Sequence, residues 1–138
     1  MERFLHGLGE VVDHLRGAGH LVQPRAQGLM LSTMVGGRNV FVDGIWDRVP
    51  GCFELLVAVS QVKIARERRP AAALALQAIN GGLAAPGFYL GQESPVFRVV
   101  ARRNHDDSIS AHVVDRLLAA ALWAIDHAAA KLDEVARG

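Results

Sequence analysis

The residues of this chain with the most chemical potential are one thiol, Cys52, and the run His105, Asp106, Asp107. A thiol becomes a nucleophile when a base stands beside it, and only the fold could bring His14 or His20 to Cys52. Cys52 follows the turn pair Pro50-Gly51 and precedes an apolar run, a setting that favours a structural thiol. Three adjacent ligand types on one loop cannot all converge on one ion. No His-x-x-x-His or Glu-x-x-His spacing falls on a helical segment. His112 and His127 share a helical stretch but stand about 22 Å apart along its axis, too far to share a metal. The 105–107 run is therefore expected as a solvated loop feeding a helix N-terminus, where negative charge is favourable. There is no Gly-x-Ser-x-Gly elbow. Gly7-Leu8-Gly9 and Gly17-Ala18-Gly19 each lack the third glycine of a dinucleotide loop, and neither is expected to follow a strand. The residues offer no catalytic group, no metal site and no cofactor site.

Lys63, Arg66, Arg68 and Arg69 form the one dense basic cluster, and an antiparallel neighbour could bring Arg102 and Arg103 to it. No aromatic is interleaved and Glu67 interrupts the run, so it reads as a solvated loop rather than a single-strand nucleic-acid platform. An anionic or regulatory protein contact is its alternative use. With 138 residues, 51% apolar and 21% charged, the chain is one globular domain with a formal net charge of +1. That balance argues against a dedicated nucleic-acid binder. A single cysteine excludes an internal disulfide framework and a cysteine zinc site. The opening residues lack the apolar core of a secretory signal. The apolar stretches at 53–60, 71–78 and 117–125 fall short of the ~20 residues of a membrane span. The expected location is the cytoplasm, with no membrane partner.

The positioning elements follow from periodicity. Phe4, Leu5, Leu8, Val11, Val12 and Leu15 lie at helical spacing, giving an amphipathic helix of about four turns ended by Gly17-Ala18-Gly19. Residues 20–25 are strand-like, though Pro24 interrupts them. Residues 29–35 and 39–46 read as a hairpin about Gly36-Gly37, and Asp43-Gly44 could turn the chain early. Residues 53–62 are apolar on both faces, the pattern of a central strand. Pro70 opens a second, mostly buried helix that Asn80-Gly81-Gly82 ends. Two further strands, 88–92 and 95–102, flank a turn at Glu93-Ser94. After a loop at 104–110, with Ser108 or Ser110 as N-cap, comes a last helix of about 25 residues. Its apolar stripe is Val114, Leu117, Leu118, Ala121, Ile125, Ala128, Leu132 and Val135, with Asp133 and Arg137 paired at its end.

The expected fold is α+β: an antiparallel sheet with helices on one face, in the order helix, three or four strands, helix, two strands, helix. A sheet covered on one face should alternate apolar with polar. Here Met30, Met34, Phe41, Leu56, Ala58 and Val100 occupy the out-of-phase positions, so the second face is itself partly apolar. Met30, Met34, Phe41 and Leu56, with the two large anchors Trp46 and Trp123, are the candidate protein-interaction residues.

The segment 76–90, Leu-Gln-Ala-Ile-Asn-Gly-Gly-Leu-Ala-Ala-Pro-Gly-Phe-Tyr-Leu, resembles the YbjN family. Members show a Leu-Asn-x-x-Asn helix end, a short loop, then a glycine and an aromatic opening a strand. Asn80, Leu83 and Phe88 fall in register; Gln77 replaces the first Asn, and Pro86-Gly87 the usual glycine step. The resemblance runs from Pro70 to the C-terminus and implies a fold similar to type III secretion chaperones. It also implies a homodimer that binds a protein or peptide segment, chaperone-like or regulatory in sensory transduction, and no catalytic residue. The alternative is a small-molecule-binding or enzymatic α+β domain that uses Cys52 or the loop of His105, Asp106 and Asp107.

Overall fold

A computed structural model describes residues 2–59, 62–81 and 87–137. The chain opens with a short strand, β1 (Phe4–His6), where helical spacing predicted the first turn of a helix. Gly7 takes φ 98°, a backbone conformation closed to most residues, so helix α1 (Leu8–Gly17) starts only after it. Val11, Val12 and Leu15 still form the buried stripe of α1.

A four-strand meander follows: β2 (Leu21–Arg25), β3 (Gly28–Val35), β4 (Arg38–Ile45) and β5 (Cys52–Ala58). Gly36 and Gly37 both have positive φ, and with Val35 opposite Arg38 they form the two-residue hairpin expected there. Asp43-Gly44 does not turn the chain. Gly44 lies inside β4 opposite Leu55, where a Cβ would meet the Leu29 side chain at 2.8 Å, so glycine is kept for close packing and not for a turn. Strand β5 ends at Ala58, four residues short of the expected limit. Residues 60 and 61 lie outside the described segments.

The basic stretch forms a 3₁₀ turn (Arg66–Arg68) leading into α2 (Arg69–Asn80), with Pro70 in its first turn. This helix is buried along one stripe, Ala72, Leu76 and Ile79, and not over most of its surface as expected; Leu74 projects outward. Then come β6 (Phe88–Leu90), β7 (Pro95–Arg102), a short β8 (Ser108–Ser110) and the 27-residue α3 (Ala111–Arg137). Strand β8 was not expected. It pairs with β1 as a two-stranded ribbon in which Leu5 faces Ile109, both buried. The Ser110 hydroxyl accepts the His112 amide at 3.2 Å, so Ser110 caps α3. The apolar stripe of α3 is buried as expected, with Leu117 at its margin. Asp133 does not give its carboxylate to Arg137, which reaches only the Asp133 carbonyl; the carboxylate takes Arg38 of β4 instead.

The main sheet runs β2-β3-β4-β5-β7-β6, antiparallel throughout, with β5 central as its two-sided apolar pattern required. The fold is α+β, with helices packed on one face of the antiparallel sheet. The inner-face residues Leu29, Leu31, Val40, Val42, Phe53, Leu55, Val57, Phe97 and Val99 share one core with the stripes of all three helices. Among the described residues no helix is long and apolar enough to cross a membrane.

Candidate functional site

The strand registers place the outward side chains of the sheet in rows that cross the strands. The first row runs Leu21, Ser32, Phe41, Ala58, Val96, Tyr89, from one sheet edge to the other. Leu21 is 75% exposed, Phe41 42% and Tyr89 43%. The second row is Gln23, Met30, Asp43, Leu56, Arg98; the third is Arg25, Gly28, Ile45, Glu54, Val100. The open face is thus apolar along one line, broken by Ser32, and charged to one side of it.

Glu54 is the one carboxylate with no solvent exposure on this face. Arg48 donates to it twice, Nε to Oε1 at 3.1 Å and Nη2 to Oε2 at 2.6 Å, and Arg98 Nε reaches Oε2 at 2.6 Å. The Arg48 hydrogen bonds hold the Glu54 carboxyl below the ordinary glutamate range. Burial opposes them, and Arg98 adds to the lowering. Asp43 shows the reverse: partial burial raises it, and the nearby Arg25 only partly offsets that.

The candidate interaction residues are divided by the structure. Met30, Phe41 and Leu56 share the open face, and Met34 lies in the same phase near the hairpin tip, 61% exposed. Trp46 does not join them. It turns to the inner side, with its ring 5.7 Å from Phe53 and the Arg103 guanidinium 4.4 Å over it. Trp123 stands on the outer side of α3, 57% exposed and stacked on His127 at 4.8 Å between centroids. Sequence reasoning missed Leu21, Arg25, Arg48 and Tyr89. The available signal was Glu54, a lone acid in an apolar strand that needs cationic cover.

The chemically suggestive groups have structural occupations. Arg103 is buried and donates to the carbonyls of Trp46 and Cys52 and to the carboxylates of Asp47 and Asp107. The Arg103 bond and the Gly51 amide hold Asp47 low. Cys52 is a free, partly buried thiol at the start of β5. Asp106 accepts the amide and hydroxyl of Ser108 at 3.1 and 2.5 Å, which lower it. No group of three or more metal-ligating side chains occurs among the described residues. His14 reaches Asp115 of α3 at 2.8 Å, not Cys52. Gly7-Leu8-Gly9 does follow a strand, contrary to expectation, but still lacks the third glycine.

The basic loop serves the fold. Lys63 pairs with Glu93, Arg68 caps the Val135 carbonyl, and Arg69 binds the carbonyls of Gly91 and Gln92. Arg102 ends β7 at the far side from Pro95 and Arg103 follows it, so they do not extend this cluster.

Asn80 does not cap α2 in a left-handed turn; Gly81 continues in right-handed geometry. Its carboxamide instead brackets Phe88, donating to the carbonyl at 2.8 Å and accepting the amide at 2.6 Å. A Cβ on Gly87 would collide with that carboxamide. Gly82, Leu83 and Pro86 lie outside the described residues. No family model, curated protein or solved structure matches this chain.

Proposed function

We propose that this chain is a non-enzymatic module that binds a protein or peptide segment through the open face of its sheet, chaperone-like or regulatory, and works as a homodimer in the cytoplasm. The observation that carries the reading is the apolar row from Leu21 through Phe41 to Tyr89, left to solvent on a sheet whose other face holds the core. Exposed apolar tracts of this kind mark interaction surfaces. The resemblance of Asn80, Leu83 and Phe88 to the YbjN pattern supports the same function. The second copy is assigned to the outer side of α3, where exposed Trp123 provides an anchor.

Selection of a random-peptide display library on the full chain, with counter-selection on Phe41→Asp, tests the binding face. Peptides that enrich on the native chain and not on the variant support it, and no enrichment over the variant sinks it. Light scattering at high micromolar concentration tests the homodimer. A dimer weakened by Trp123→Asp agrees with the assignment, and a strict monomer overturns it.

A further inference from the structure

The charges of the open face are not balanced. Arg25, Arg98 and Arg102 lie in its outward phase, and Arg48 folds over it to reach Glu54. Against these four arginines stand two carboxylates, Asp43 and Glu54. The face carries a formal +2 on a chain whose total is +1, so the remaining surface is net negative. Glu54 neutralises only one of the two arginines that cover it. Arg102, at the end of its strand opposite Cys52, has no carboxylate partner among the described residues.

The placement of these charges matters as much as their number. None lies within the Leu21–Tyr89 row: Arg98 is in the next row, Arg25 in the third and Arg102 in a fourth with Cys52, about 7, 13 and 20 Å away along the strands. A partner therefore meets a line of apolar side chains flanked on one side by guanidinium groups. Strands stand ~4.8 Å apart, so the six-strand row is about 24 Å long, the length of about 16 helical residues. A second copy docked on this face would set arginines against arginines, which is unfavourable for an isologous contact. Single-stranded nucleic acid would want closely spaced stacking rings, but Phe41 and Tyr89 are three strand spacings apart and the residues between them are aliphatic.

Resting on the binding face proposed above, we infer that its occupant is an acidic polypeptide segment that carries apolar side chains along one edge. The apolar edge lies on the Leu21–Phe41–Tyr89 row, and the carboxylates of the segment meet Arg25, Arg98 and Arg102. Guanidinium groups suit this task because they donate two parallel hydrogen bonds to one carboxylate.

The test uses three synthetic 16-residue peptides that share one stripe of Leu and Phe and carry Glu, Gln or Lys at the other positions. Fluorescence anisotropy on the full chain, at low and high salt, measures binding. The Glu peptide is expected to bind about tenfold tighter than the Gln peptide, and the Lys peptide weakest, with the spread shrinking at high salt. The double variant Arg25→Gln/Arg102→Gln, which leaves the Glu54 ion pairs intact, is expected to remove most of that preference. Equal binding of all three peptides, abolished by Phe41→Asp, overturns the charge inference and leaves the binding face standing. No binding by any peptide overturns both. A single-stranded RNA oligonucleotide that binds tighter than the Glu peptide, or a dimer dissolved by Phe41→Asp, likewise overturns the acidic occupant.

Discussion

At the scale of single residues, two buried ionic groups do most of the local organising. Glu54 is covered by one layer of arginine side chains, and its carboxyl is held low chiefly by Arg48. A carboxylate whose folded value lies below its unfolded one contributes stability that is complete above the ordinary glutamate range. That contribution is lost as pH falls through the folded value. Urea midpoints of the native chain should therefore fall as pH drops below about 4.5, more steeply than those of Glu54→Gln, and the two curves should converge at low pH. Parallel curves would show that Glu54 does not carry the acid sensitivity. Arg103 ties the ends of β4 and β5 to the 104–107 loop through four acceptors and stacks on Trp46. Arg103→Met strands the Trp46 and Cys52 carbonyls and should cost about 2–4 kcal/mol in equilibrium unfolding, with a red shift of Trp46 emission. Arg103→Lys should recover little, because an ammonium cannot fork to the same set.

At the scale of elements, Asn80 ties the end of α2 to the start of β6. Asn80 offers Phe88 the donor and acceptor that a neighbouring strand would supply, and so holds the edge strand to the helix end. Gly87 is required because the carboxamide occupies the space of a side chain there. Asn80→Ala should cost about 1–3 kcal/mol. Gly87→Ala should be destabilising in the native background and much less so in the Asn80→Ala background. Thermal melts of the four proteins form a double-mutant cycle, and additive costs would break the proposed coupling. The sequence showed Asn80 and Phe88, with Leu83, as a pattern. It did not show the bracket, because the partner of a side-chain amide depends on where the strand returns.

At the scale of the whole molecule, one face of the sheet holds the core, and the other carries the Glu54 ion pairs and an apolar row that is not part of that core. Phe41→Asp changes the second face alone, so its urea midpoint should correspond to a stability within about 0.5 kcal/mol of the native chain. A loss of several kcal/mol would mean that the row belongs to the core after all. The same division explains the excess of apolar residues. The inner face and helix stripes absorb Leu29, Leu31, Phe53 and Phe97, and the remainder, Leu21, Met34, Phe41 and Tyr89, stays in solvent.

The sequence alone determined the α+β class, the glycine hairpin, the central position of the fifth strand, the stripe of the last helix, and the partly apolar second face. These follow from local periodicity and turn chemistry, which act over a few residues. Only the tertiary structure decided the rest. The first turn of the expected helix became a strand because Gly7 breaks the helix and Leu5 finds Ile109 across a hundred residues. Trp46 turned inward because Arg103 and Phe53 wait on that side. Four arginines from three separate segments gathered on one side of an apolar row because antiparallel register, a long-range property, sets which residues share a line across the sheet.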